Sequence, residues 1–319
     1  MAHLLYFAPK ECFMSYNYLP LDRNLLHFQQ LKDLLDYQQL VSITFNAHEN
    51  ILAHTTQHHQ IMEHKDADLP QMHLLTNNLI VSKADGFGGL IPTDIVKLML
   101  MFKIKSLSCG KYFVQIATVI RLMDIYNQNI LPVVYTQSKS GDKSSALCHL
   151  LMPLLGLGKV YYKGNIVDAN QVLKKYQWEP IQLKHHELLQ LTNGEQYISA
   201  YGIYCLIKAQ TILTQANSIA AKLPASIAQA FIEAQQIFEQ TLRVFMQEIN
   251  SVTESTNKDL SIYLNNLTIA MQKLVNIPAE NIPNIPTNFG SNTAPGCLAQ
   301  IENIMQKSDA FFIPYLRKN

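Results

Sequence analysis

The chain has 319 residues, 48% of them hydrophobic and 15% charged, with 25 lysines and arginines against 24 aspartates and glutamates. That is enough apolar material for one elaborate domain or two smaller ones, while a formal net charge of +1 sets up no long-range field, so neither nucleic acid nor an anionic membrane is expected as a partner. The five cysteines (Cys12, Cys109, Cys148, Cys205 and Cys297) include no CxxC pair, the start MAHLLYFAPKECF lacks a basic stretch followed by an apolar core, and no apolar run nears a bilayer span, so free thiols and a cytoplasmic location are expected.

Residues 1–20 are aromatic and irregular, with Tyr6 and Phe7 before Pro9 and Phe13, Tyr16 and Tyr18 between Pro9 and Pro20, and read as an arm packed on another surface. Asp22 is placed to cap an amphipathic helix in which Leu25, Leu26, Phe28, Leu31, Leu34, Leu35 and Leu40 recur near helical spacing. A short strand over Leu40 to Phe45 leads into a second helix carrying His48, His54, His58, His59 and His64. His54 and His58 stand four apart, a spacing that puts two imidazoles on one helix face. Glu49, Glu63 and Asp66 complete no known ligand pattern with them, so the stretch reads as a polar face and no metal is expected.

A third helix, Met72 to Val81, runs into Ser82-Lys83-Ala84-Asp85-Gly86-Phe87-Gly88-Gly89, where the glycines are expected to stop the helix and turn the chain. No GK[ST] accompanies them, so a nucleotide loop is not expected. Pro92 and Asp94 open a strongly apolar helix, Ile95 to Leu107, whose charges are Lys97, Lys103 and Lys105. Another helix follows over Val114 to Gln128.

The stretch Pro132 to Gly164 organises the chain: a polar loop, Thr136 to Ser145, lies between a strand-like run and an apolar helix over Ala146 to Leu155. Loops of this composition between rigid elements are where chemistry concentrates. Val160 to Gly164 reads as a hairpin-like turn, Val167 to Lys175 as a short helix, and Glu187 to Gln196 as the approach to a long helix from near Ser199 toward Ala221. Two more helices span 225–250 and 258–275, separated by the polar link Ser251 to Asn257. A Pro/Asn-rich stretch, Ile277 to Gly296, excludes helix, and Leu298 to Phe312 forms a last one. The fold class expected is mainly α with a small mixed α/β portion around residues 130–170.

Several separated segments stand in one order along residues 73–205. They are Leu79-Ile80-Val81-Ser82 with Gly86, KIKSLSCG over Lys103 to Gly110, and Asn129-Ile130-Leu131-Pro132. Then come Ser140-Gly141-Asp142 with Leu147 and His149, and Glu179-Pro180 with Glu187 and Asn193-Gly194-Glu195-Gln196. This set resembles the aromatic amino acid lyases, the family that contains histidine and phenylalanine ammonia-lyase. Its counterparts there are a Leu-x-x-Ser-His-x-x-Gly segment, an Arg-x-Asn-x-Leu-x-x-Gly helix end, the approach to the central loop, an Ala-Ser-Gly-Asp-Leu-Ala-Pro-Leu-Ala-His motif, and Glu-Pro and Glu-Gly-x-x-x-x-Asn-Gly-Thr-Gln motifs. The resemblance implies a shortened ammonia-lyase-like fold: an arm with helices over 1–72, a lyase-like core over 73–205 and a shortened helical region over 206–319.

In that family the Ala-Ser-Gly tripeptide cyclises with loss of two waters to 4-methylidene-imidazole-5-one, an electrophile that captures the substrate while a base removes a weakly acidic proton. Glycine tolerates the strained turn and serine supplies the leaving hydroxyl. Carried onto this chain, the electrophile-forming loop is Lys139-Ser140-Gly141 with Asp142, and Asn193 and Gln196 are substrate contacts. Lysine replaces the small first residue, and burying its charge in a packed turn is costly. One extra residue separates Asp142 from His149, and Lys143-Ser144-Ser145-Ala146 replaces Leu-Ala-Pro.

The family's catalytic tyrosine loop has no counterpart either. No tyrosine lies between Tyr37 and Tyr112 and no glycine before Gly86, so that loop is deleted near Glu63 to Pro70 or degraded around Ala53 to His59. Ile285-Pro286-Thr287 echoes a later turn without its acidic and amide neighbours and contributes no site residue. His149 reads as a core-satisfied histidine, and Lys139 as a solvated loop lysine rather than a nucleophile.

The expected function is therefore a degenerate lyase-like pseudoenzyme without the usual ammonia-lyase activity, kept as a small-molecule-binding or interaction module. The alternative is an active divergent ammonia-lyase or aminomutase acting through Lys139-Ser140-Gly141. No cofactor is expected, the methylidene imidazolone being disfavoured by Lys139. The partners implied are an amino-acid-like small molecule and a homo-oligomer or partner chain able to supply the missing tyrosine.

Overall fold

Helix α4 (Thr93–Ser108) is apolar on nearly every side, and such a helix is stable only when surrounded. Every residue from Ile95 to Lys105 is buried, the three lysines included. Asp94 sits in its first turn, where the helix dipole favours an acid, and Pro92 precedes it as the sequence predicts. Each buried amine is directed at a neighbouring element. Lys105 Nζ donates to the carbonyls of Asp22 (3.1 Å) and Asn24 (2.8 Å), and Lys97 Nζ lies 5.2 Å from the ring centre of Tyr126. Burial lowers the pKa of both.

The computed structural model describes residues 18–62, 70–110, 113–142, 144–220, 225–251 and 259–275. The aromatic arm before Tyr18, the Pro/Asn-rich stretch, the terminal helix and the side chains of His58, His59 and His64 lie outside the described residues. The chain divides into two compact units. The first runs to Ala200 and includes Asn250, and the second runs from Tyr201 to Ile249 and includes the last described helix.

In the first unit, β1 (Tyr18–Leu21) pairs in parallel with β2 (Leu40–Ile43) on either side of α1 (Phe28–Asp36). Asp22 does not cap α1 as expected. Its carboxylate accepts from the backbone N–H and side-chain amide of Asn24, and α1 starts six residues later, with Gln30 reaching back to the His27 N–H. Two asparagines stand in for missing backbone partners: Asn127 accepts from the Val41 N–H and donates to its carbonyl, and Asn250 does the same for Leu26. Helix α2 (Phe45–Met62) is continuous, and its His54 ring lies 6.5 Å from that of Phe113.

Helix α3 (Pro70–Lys83) runs two residues beyond the predicted Met72 to Val81 at each end, and the glycines after it form a strand rather than a turn. β3 (Gly86–Leu90) runs antiparallel to β5 (Tyr135–Ser138). The reason is close approach: a Cβ on Gly86 would lie 2.5 Å from His149 Nε2 and 2.8 Å from Tyr135 Cβ. Helix α5 (Ile116–Asn127) leads to β4 (Leu131–Pro132), which joins the hairpin β6 (Lys159–Tyr162) and β7 (Asn165–Asp168) in a three-stranded antiparallel sheet. This is the mixed portion expected around residues 130–170. Helix α6 (Ser145–Leu151) passes into a 3-10 turn (Met152–Leu155), and α7 (Ala169–Lys175) and α8 (His185–Thr192) follow.

Helix α9 (Gln196–Ala220) begins in the first unit and supplies the second from Tyr201 onward. There it lies with α10 (Ala225–Asn250) and α11 (Leu260–Val275). Gly202 of α9 lets the buried ring of Phe245 on α10 rest against its backbone, and Thr241 donates to the carbonyl of Ile237 or Tyr263, joining α10 to α11. Among the described residues no helix is long and apolar enough to cross a membrane, and Cys109, Cys148 and Cys205 are free thiols.

Candidate functional site

The loop between β5 and α6 is gathered around one carboxylate that the sequence reading passed over. Asp85, between α3 and β3, accepts the Ser140 backbone N–H at 2.7 Å, the Ser138 hydroxyl at 2.8 Å and the Ser145 hydroxyl at 3.1 Å. The Ser138 and Ser140 hydroxyls lie 3.0 Å apart, and the Asp142 N–H points at the Ser140 oxygen at 3.3 Å. Desolvation works to raise the Asp85 pKa, but the hydrogen bonds from Ser138, Ser140 and Ser145 outweigh it and hold the carboxyl well below the usual range. These three hydrogen bonds fix the loop on Asp85.

The second half of the turn is braced separately. Asp142 accepts the Ser144 N–H at 2.8 Å and pairs with the ammonium of Lys83 at 3.3 Å. The Ser144 N–H is the main reason its pKa falls, ahead of the contribution of Lys83. Gly141 takes φ +71°, a conformation glycine adopts without steric cost, and its N–H donates to the Ser138 carbonyl at 3.3 Å. Lys139, Ser140 and Gly141 are all exposed. Lys139 therefore lies in solvent, and the burial cost anticipated from the sequence does not arise in this chain.

His149 of α6 holds β3 in place. Its Nε2 accepts the Gly86 N–H at 3.0 Å, which puts the proton of the neutral ring on Nδ1, and its ring lies 5.2 Å from that of Tyr135. Burial lowers its pKa against the pull of the Asp85 charge, in keeping with an imidazole engaged as an acceptor.

Asn193 and Gln196 sit elsewhere, at the turn joining α8 to α9. Asn193 closes α8 and is exposed, and its side chain makes no hydrogen bond among the described residues. Gly194 takes φ +121°, and a side chain there would overlap the Gln196 carboxamide. Beneath the turn, the buried Lys103 donates to the Asn193 carbonyl at 2.7 Å and to that of Gln190 at 3.4 Å. No hydrogen bond among the described residues joins this turn to the Lys139–Asp142 loop.

The structure thus brings Lys139, Ser140, Gly141 and Asp142 together with Lys83 and Asp85, and sets Asn193 on Lys103, with Gln196 in the same turn. The signal for the missed residues was present. Lys83 stands where the resembled Leu-x-x-Ser-His-x-x-Gly segment has histidine, Asp85 immediately precedes its glycine, and Lys103 occupies the arginine position of the helix-end motif.

Comparison with known proteins places the chain in a family. The profile of the family described as aromatic amino acid lyase matches residues 59–257. Histidine ammonia-lyase of Deinococcus radiodurans is 32% identical over 219 residues, 63% of this chain and 42% of that protein. The enzyme of the same name from Streptococcus pyogenes is 28% identical over 207 residues, 64% of this chain and 40% of its own. The chain therefore spans less than half the length of these curated relatives.

Among solved structures, histidine ammonia-lyase from Trypanosoma cruzi superposes with a TM-score of 0.73 at 20% identity, over 92% of this chain and 74% of that one. Tyrosine aminomutase from Streptomyces globisporus gives 0.69 at 16% identity, over 81% and 69%. At those identities the likeness is one of fold, and it accompanies a profile match over more than half of the residues. By that match, the chain belongs to the aromatic amino acid lyase family.

Proposed function

We propose that this chain keeps its Lys139-Ser140-Gly141 segment as an open peptide, does not eliminate ammonia by the family's usual route, and serves as a module that binds an amino-acid-like molecule or a partner chain. The observation that carries this reading is the Asp85–Ser140 hydrogen bond at 2.7 Å. Ring closure needs the Gly141 nitrogen to reach the Lys139 carbonyl. Here the Gly141 N–H is turned to Ser138, while the Ser140 N–H and the Ser138 hydroxyl are both held by Asp85. The residues present do not fit the cyclised group, so no step is routed through it.

The candidate bases among the described residues point the same way. The stretch from Ala53 to His59 is part of the unbroken helix α2 and contains no tyrosine. Asp85 is engaged by the Ser138, Ser140 and Ser145 hydrogen bonds, and His149 is committed to Gly86. The ligand-facing candidates are the exposed Asn193 and its neighbour Gln196, whose amide and carbonyl groups suit the ends of an amino acid. A homo-oligomer or partner chain would approach the exposed loop at Lys139 and Ser140.

Intact mass spectrometry of the purified chain tests the reading. The expected mass is that of the unmodified sequence. Loss of two waters, with a near-ultraviolet absorbance abolished by Ser140→Ala, would show a formed electrophile and reverse the conclusion.

A further inference from the structure

One amine of α4 lies beneath the Asn193 turn. Lys103 is 1% exposed, and among the described residues no carboxylate forms an ion pair with it. The titratable group that faces it is the Cys148 thiol of α6, itself pushed up to about 11 by burial. An ammonium buried without a counter-ion is among the costliest groups in a protein interior, and an apolar side chain of similar length would pack there at lower cost. What satisfies Lys103 is a pair of backbone carbonyls, Asn193 at 2.7 Å and Gln190 at 3.4 Å. Both lie at the C-terminal end of α8, where the helix dipole favours a cation.

The turn above it needs such a tether. Asn193 is exposed and Gly194 adopts a backbone conformation that side chains disfavour. The Gln196 carboxamide oxygen is buried without a hydrogen-bond partner among the described residues. The strong contact from below therefore falls on one atom, the Asn193 carbonyl oxygen. Complete burial also keeps Lys103 out of reach of any substrate, so it acts only through the backbone it holds.

We propose that Lys103 is a positioning residue for this turn: acting through the Asn193 carbonyl, it sets the geometry in which the Asn193 and Gln196 side chains meet a ligand. The proposal rests on the reading of those two residues as ligand contacts. Arginine, which occupies the corresponding place in the resembled family motif, keeps the charge and the donors. Methionine keeps the length and removes both.

Amide hydrogen exchange of the full chain, read on the peptide from Gln190 to Gln196 in wild type, Lys103→Met and Lys103→Arg, tests this without any ligand. The Gln115 amide, held by Glu187 at 2.9 Å, reports wider unfolding. Lys103→Met is expected to speed exchange at the turn by about tenfold or more, leaving Gln115 unchanged, with Lys103→Arg restoring protection. Unchanged exchange at the turn, or a rise shared equally by Gln115, would overturn the proposal.

Thermal shift with histidine, tyrosine and phenylalanine adds the ligand arm. Any stabilisation seen in wild type should vanish in Lys103→Met and persist in Lys103→Arg, and a shift retained by Lys103→Met counts against a positioning role. Absence of a shift in wild type for all three removes the binding reading itself, while the exchange result still decides whether Lys103 sets the turn.

Discussion

Glu187 and Gln115 meet where two helices begin. The buried carboxylate accepts both the backbone N–H of Gln115 at 2.9 Å and its side-chain amide at 2.5 Å. It also takes the Thr118 hydroxyl at 3.0 Å in the first turn of α5 and the Lys184 N–H at 2.8 Å at the start of α8. One side chain thus takes a backbone N–H at the start of each of two helices, which a capping residue ordinarily does for one. Glu187→Ala leaves these donors without their acceptor, and a loss of about 3 kcal/mol or more is expected, measured as a shift in the urea midpoint. A loss under about 1 kcal/mol would mean that water or rearrangement replaces the carboxylate.

If Asp85 rather than Lys139 keeps the tripeptide open, Lys139→Ala alone should leave the intact mass at the unmodified value. Loss of two waters in that single variant would place the block on the lysine. The Asp85 pKa is depressed in the folded chain, so its contribution is present above the ordinary carboxylate pKa of about 3.9 and is lost only as pH falls toward the lower folded value. Protection of the Ser140 amide should therefore hold from pH 7 down to about 4 and disappear in Asp85→Ala.

Lys103 makes a pH prediction of opposite origin. Burial brings its pKa from 10.5 to about 7, so between those values the unfolded chain binds a proton that the folded chain does not, and stability rises with pH. The usable window is about pH 7 to 8.5. Below it, the lowered His149 value adds its own rise, and above it the raised thiols of Cys148 and Cys205 pull the other way. Wild type should gain up to about 1.4 kcal/mol per pH unit across the window relative to Lys103→Met. Parallel denaturation curves for the two proteins at both ends would contradict the assignment.

Gly202 tests the second unit alone. A Cβ at this position would overlap the Phe245 ring, which is fully buried on α10. Gly202→Ala improves helix propensity by about 1 kcal/mol yet forces repacking that costs typically 1–3 kcal/mol. The expected outcome is a lower melting temperature, checked by calorimetry. A higher one would mean that the ring has room to move.

The helices were legible because their signal is local. The apolar spacing that marks α4, α5, α10 and α11 recurs within one or two turns, and the predicted bounds of α4 and α11 fall within two residues of those observed. The glycine run after α3 misled for the complementary reason: its role depends on His149 and Tyr135, far along the chain, and in the sequence it resembles a turn. The lyase-like motifs and their order were readable too, as was the absence of any tyrosine between Tyr37 and Tyr112.

The sequence by itself indicated the helical architecture and the resemblance to the family, since these depend on residue identity and short-range spacing. Tertiary structure decided that Asp85 grips a serine 55 positions away and that Lys103 lies under a carbonyl 90 positions on. The physical reason is that hydrogen bonds and burial depend on which groups meet in space, and at separations this large no periodicity within the chain encodes the meeting.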